Sequence, residues 1–239
     1  MTTDEFVDLL LAPPDRWALV KRFVAHWHAP LREGDGYPPE VLAEIGRRLG
    51  FPLPEALREW YQLAGLREDL TARQDHLRSP EVLKVERGML FFHVENQGCC
   101  RWGVREQDVR LADPPVFLED DGHRRVQEAS SVSEFALHML LQETVITGPG
   151  PKIDDLGLTR EHDGQLRARL VDLGLPYWHW PMYPRVLLAL PGTLDVLVEL
   201  LGQGDNAQAI VAARTRQALD GFLERFPWDW ERFNEDEDA

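Results

Sequence analysis

Cysteine is nearly absent from this chain: its 239 residues hold two, Cys99 and Cys100, side by side. Neighbouring cysteines pair poorly with each other, and two adjacent thiols do not supply the spaced ligands of a zinc site. Neither a disulfide framework nor a structural zinc is expected. Lysine is scarce too, with Lys21, Lys84 and Lys152 the only ones among 26 basic residues, a bias that suggests a GC-rich bacterial genome and carries no mechanism. Apolar runs long enough to cross a bilayer are missing, and the N-terminal MTTDEFVDLL is acidic where a secretory signal is basic. The expected compartment is the cytoplasm, without membrane contact. Phosphate loops, metal-ligand spacings and nucleophile elbows are also missing, so no cofactor is expected.

Positive charge is in deficit. Forty-one acidic residues, 41 in all against 26 basic ones, give a formal net charge of -15. That surplus repels phosphate backbones and anionic surfaces, which disfavours nucleic acid as a direct partner and favours encounters with basic proteins. Hydrophobic residues are not in deficit: at 44% they suffice for a full core, in one large domain or one domain with an extension.

Patterning places the elements. Thr2 and Glu5 form a capping box for a short helix that stops at Pro13-Pro14, and a second helix from Pro14-Asp15 carries Trp17, Val20, Val24 and Trp27 at helical spacing. Pro38 to Leu49 reads as a third, with Val41, Leu42, Ile45 and Leu49 inward and Gly50 after its end. Leu53-Pro54 starts a fourth, facing Leu57, Trp60, Tyr61 and Ala64 inward, with Gly65 expected as a left-handed cap. The period then shortens. Pro80 to Glu86, Met89 to Glu95 and Cys99 to Val104, separated by Arg87-Gly88 and Asn96-Gln97-Gly98, predict an antiparallel meander, and Val116 to Glu119 with His123 to Gln127 a further hairpin. Ser131 and Glu134 cap a helix through Val145.

Gly148-Pro149-Gly150-Pro151 marks the expected boundary between a first domain, residues 1-150, and a C-terminal extension, residues 151-239. In the extension the pattern predicts a helix near Arg160 to Leu173, strands at Arg185 to Leu190, Leu194 to Leu200 and Ala209 to Ala213, and a last helix from Thr215 to Phe226. The fold class is α+β.

Candidate contact residues form three groups, each with a structural alternative. Glu119, Asp120 and Asp121 make a compact acidic loop that suits a basic partner or is merely a solvated turn. Trp178, Trp180 and Tyr183 belong to an aromatic segment that is either a binding surface or the core of the extension. Trp228, Asp229, Trp230 and Glu231 interleave aromatics with acids; the aromatics alternatively dock the last helix while the acids stay wet. Histidine offers less. His26 and His28 point to different helix faces, His138 reads as a core-edge residue, and His179 lies in the aromatic segment, so no metal site is expected. No positioned base accompanies Cys99 or Cys100, so no catalytic residue is assigned.

The run LGFPLPEALREWYQLAG and the segment MLFFHVENQGCCRWGV from Met89 to Val104 together resemble the SUKH superfamily, which includes fungal cell-wall assembly regulators and bacterial toxin-immunity proteins. The resemblance rests on Leu53-Pro54, Trp60-Tyr61 and Gly65, then on the Glu95-Asn96-Gln97-Gly98 turn and Trp102-Gly103-Val104, and covers roughly residues 40 to 145. It implies a curved, mostly antiparallel sheet packed against helices and a function in protein recognition, without catalysis. For a bacterial member it implies neutralising a toxin, often a basic nuclease, by direct binding through an acidic surface. Two other readings stay open: a regulatory interaction module with a cellular partner, and an enzyme using scattered carboxylates or His179.

Overall fold

The computed structural model describes residues 1–11, 16–176, 178–179 and 185–232. In chain order the elements are α1 (Thr3–Leu11), α2 (Arg16–Trp27), α3 (Pro39–Leu49), α4 (Glu55–Ala64), α5 (Glu68–Thr71), β1 (His76–Leu77), β2 (Val85–Glu86), β3 (Met89–Val94), β4 (Cys100–Arg105), β5 (Val116–Asp120), β6 (Arg125–Ala129), α6 (Val132–Thr147), β7 (Lys152–Leu158), α7 (Arg160–Arg169), β8 (Val171–Asp172), β9 (Arg185–Ala189), β10 (Val196–Leu201), β11 (Ala207–Ala213), α8 (Arg216–Arg225) and β12 (Glu231–Arg232). Every strand pairing among the described residues is antiparallel, in two separate sheets, and the fold is α+β.

The chain divides into two compact units: Ala29–Glu143, and Met1–His28 together with Thr144–Ala239. The first 28 residues thus belong with the C-terminal part, whereas the sequence placed them in a domain ending at residue 150. Backbone and side-chain bonds account for this. Leu194 N–H donates to the Met1 carbonyl at 3.2 Å, Gly192 N–H donates to Thr3 Oγ1 at 2.9 Å, and His26 Nε2 lies 3.0 Å from Asp195. Such long-range pairings carry no local pattern in the sequence.

In the unit Ala29–Glu143 the sheet runs β1-β3-β4-β5-β6, with β2 also on β3. Arg87 and Gly88 both take positive φ (51° and 74°), as a tight two-residue hairpin between β2 and β3 requires. At the next turn the Glu95 carboxylate accepts the Gln97 and Cys99 N–H groups at 2.9 and 3.1 Å, which fixes the meander register. A bulge between Phe91 and His93 lets two consecutive side chains face the core: Phe92 and His93 both contact Phe135 of α6, at ring-centroid distances of 5.7 and 5.4 Å. Trp60 and Trp102 complete this aromatic core. Pro80–Val82, read from sequence as the start of a strand, is a 3-10 turn whose carbonyls the Arg48 guanidinium clamps.

The other unit carries the sheet β12-β7-β11-β10-β9-β8. One face holds Ile153, Leu188, Val196, Val198, Leu200 and Val211 against Leu166 of α7 and Leu219 and Phe222 of α8. Thr159 and Thr215 cap these helices by accepting the N–H of the third residue on. At the N-terminus the expected capping box forms, with Thr2 N–H to Glu5 at 2.9 Å and Glu5 N–H to Thr2 Oγ1 at 3.1 Å.

Candidate functional site

Helices α3 and α4 and the loop between them build a concavity. Gly50 ends α3 in the left-handed region (φ 83°), which turns the chain back so that Phe51 N–H reaches the Gly46 carbonyl at 3.1 Å. Gly46 has to be small there, since a Cβ would meet Phe51 O and Pro52 Cα at 3.2 Å each. Leu53 plugs into the core and Pro54 presets the start of α4. On one side of this loop is a groove of about 660 Å³ with Leu42, Gly46, Phe51 and Leu53 along its floor and Arg47, Glu55, Arg58 and Glu59 on its rim. On the other side is a second groove, about 410 Å³, walled by Val109 to Ala112. The Ala56 N–H bond to the Ala112 carbonyl (2.9 Å) holds that wall against α4, and Leu111 stands 52% exposed at its edge.

Charge on the rim is unevenly satisfied. Arg47 pairs with Glu44. Arg58, half-buried and shared by both grooves, and Arg110 have no ion pair or side-chain hydrogen bond among the described residues, and neither has Glu55. In the sequence, LGFPLPEALREW signals helix starts and core positions but not this site. The available signal was Arg58 itself, on the outward side of a helix whose inward positions were already assigned.

Several chemically reactive groups of this unit lie elsewhere, engaged or sealed. His93, 1% exposed, is stacked on Trp60 (5.8 Å) with both ring nitrogens unpartnered; burial, then His76, pushes its pKa down to about 3, so it stays neutral. Burial raises the Cys100 thiol well above its ordinary value, and burial with Glu95 and Asp121 raises that of Cys99, so neither is an activated nucleophile. Buried Asp75 accepts Asn96 N–H at 3.1 Å and the Gln142 amide at 3.2 Å. Burial, opposed by that N–H and assisted by Glu143 and Glu95, pushes its pKa up to about 6. Glu143 in turn accepts the Gln74 and Asp75 N–H groups at 2.9 Å. These carboxylates hold the loop before β1 in place. Among the described residues no group of three His, Cys, Asp or Glu is arranged to hold a metal.

The three groups named from sequence fall in different places. Glu119 is 1% exposed and ringed by Arg87, Arg125 and Arg101 at 2.6, 2.7 and 2.9 Å. Burial raises its pKa, but the bonds from Arg101 and Arg125 outweigh this and bring it down to about 2. Asp120 accepts from Arg124 through backbone (2.9 Å) and side chain (3.1 Å), and Asp121 alone of the three is exposed. The loop is an arginine-neutralised cluster with one free acid. Trp178 is buried, with the Arg185 guanidinium 5.8 Å from its ring; Trp180 and Tyr183 lie outside the described residues. Trp228 stacks on His162 at 4.2 Å and, with Trp230, packs against the α8 core; Trp230 Nε1 donates to the Phe226 carbonyl at 3.1 Å. Asp229 is exposed and Glu231 opens β12 opposite Asp154.

No family model, no curated protein and no solved structure matches the chain. No helix among the described residues is long and apolar enough to cross a membrane.

Proposed function

We propose that this chain is a protein-recognition module of the immunity or antitoxin kind, which binds a toxin directly and performs no catalysis itself. One observation carries the reading: the groove between α3 and α4 has an apolar floor, a rim on which Arg58 and Glu55 have no ion pair among the described residues, and no serine, threonine, cysteine, histidine or lysine in its lining. That composition suits a partner's side chains better than a reaction. The resemblance of residues 40 to 145 to the SUKH superfamily points the same way, and a net charge of -15 favours encounters with a basic toxin, such as a nuclease, over nucleic acid. Its place of action on this reading is the cytoplasm, ahead of the toxin's target.

The test is co-purification with a toxin encoded beside its gene, at several salt concentrations, together with titration of the toxin's activity. A stoichiometric complex that silences the toxin supports the proposal. Absence of a complex at every salt concentration, with the toxin fully active, overturns it.

A further inference from the structure

We infer that the paired grooves around the Gly50–Leu53 loop receive an extended segment of the partner protein that presents a carboxylate beside an apolar side chain. The inference rests on the protein-recognition reading and names the chemistry of the segment bound. Together the two grooves are lined by three arginines, Arg47, Arg58 and Arg110, and two acids, Glu55 and Glu59. Three arginines against two acids make the lining far less acidic than the chain as a whole, whose charge is -15. Glu44 already neutralises Arg47. Arg58 and Arg110, by contrast, have no partner among the described residues, and Arg58 lines both grooves at the loop where they meet. Several other arginines of this unit are tied down: Arg48 to carbonyls, Arg67 to Asp35 and Asp69, Arg101 and Arg125 to Glu119.

A half-buried guanidinium over an apolar floor is matched by a carboxylate, which it binds with two parallel hydrogen bonds. The floor of Leu42, Phe51 and Leu53 takes the neighbouring apolar residue. The two grooves share the loop from Gly50 to Leu53 and Arg58, so a segment occupying both passes Arg58 near its middle, with Arg110 and exposed Leu111 at one end. A basic toxin is drawn in by the whole-chain field, and its local register is set by one of its own acids.

The experiment selects a phage-displayed random nonapeptide library on the full-length protein, then measures an enriched peptide by fluorescence anisotropy. Expected is enrichment of Asp or Glu within two positions of an apolar residue. Changing that acid to its amide, or changing the protein by Arg58→Gln, each weakens binding about tenfold, and the two changes together lose no more than either alone. Ala43→Trp, which fills the larger groove while keeping Arg58, abolishes binding and stands in if R58Q fails to fold. Absence of enrichment, enrichment without acids, or affinity unmoved by R58Q and A43W overturns the inference. A toxin complex indifferent to both variants also overturns it while leaving the recognition reading standing. Acid-dependent peptide binding without any toxin complex supports the groove chemistry and counts against the toxin.

Discussion

Asp75 and His93 are buried in the same unit with opposite protonation demands, and their effects on stability oppose each other. Asp75 titrates near pH 6 when folded against 3.8 in the open chain, so between those values the folded state holds the extra proton and stability falls as pH rises. His93 titrates near 3 when folded against 6.5 when open, so there the unfolded state holds the extra proton and stability falls as pH drops. Over pH 4 to 6 the slopes cancel in part, and each substitution unmasks the other group. Asp75→Asn is expected to stabilise the protein by about 1–2 kcal/mol at pH 7.5, with the gain gone by pH 4, once the Gln142 amide flips to suit the new donor. His93→Phe is expected to keep the aromatic packing and remove the acid-side loss, leaving stability that climbs as pH falls from 6 to 4. Urea denaturation at these pH values reads both. Glu119→Gln removes the anion three arginines share, and is expected to cost about 2 kcal/mol, below the full penalty for a buried pair because Arg87 stays half in water. The same variant separates structure from contact: partner binding lost at unchanged stability would restore Glu119 to the interface.

At the scale of elements, most of the fold was legible wherever a local rule determined it. The capping box at Thr2, the helix starts at Pro39 and Pro54, the Arg87-Gly88 hairpin and strands β9 to β11 all follow from spacing and turn chemistry. Lys152–Leu158 was not legible as a strand, because Asp154, Asp155 and Gly157 break the apolar alternation; its partners β11 and β12 lie far along the chain. Gly65 was assigned a left-handed cap, yet its φ is -63°. Glycine is needed there for closeness: a Cβ would lie 2.6 Å from Tyr61 O and 2.8 Å from the Tyr37 ring. Helix propensity alone makes Gly65→Ala stabilising by about 1 kcal/mol. The clash reverses the sign, and a loss of about 2 kcal/mol or more is expected in a thermal or urea melt. The groove was illegible for a related reason: Val109 to Ala112 meets α4 through one backbone bond that no pattern announces.

For the whole molecule, the proposed recognition role assigns net charge and groove to different steps of association. A charge of -15 spread over the chain works at long range, so it governs how often a basic partner arrives and is screened by salt within about 10 Å at 0.1 M. On the same proposal the groove, with Arg58 on its rim and an apolar floor, works only in contact and sets how long the complex lasts. The arginines around Glu119 do not weaken the first effect, since the net charge of -15 already counts them. Stopped-flow association with the toxin is therefore expected to slow at least tenfold between 50 and 500 mM salt while dissociation stays nearly constant. Arg58→Gln is expected to do the reverse, raising the dissociation rate about tenfold and moving the association rate by less than twofold, because one charge in a large surplus hardly alters the field. If salt acted mainly on dissociation, the contact itself would be ionic, and the apolar floor of the groove would not be what holds the partner.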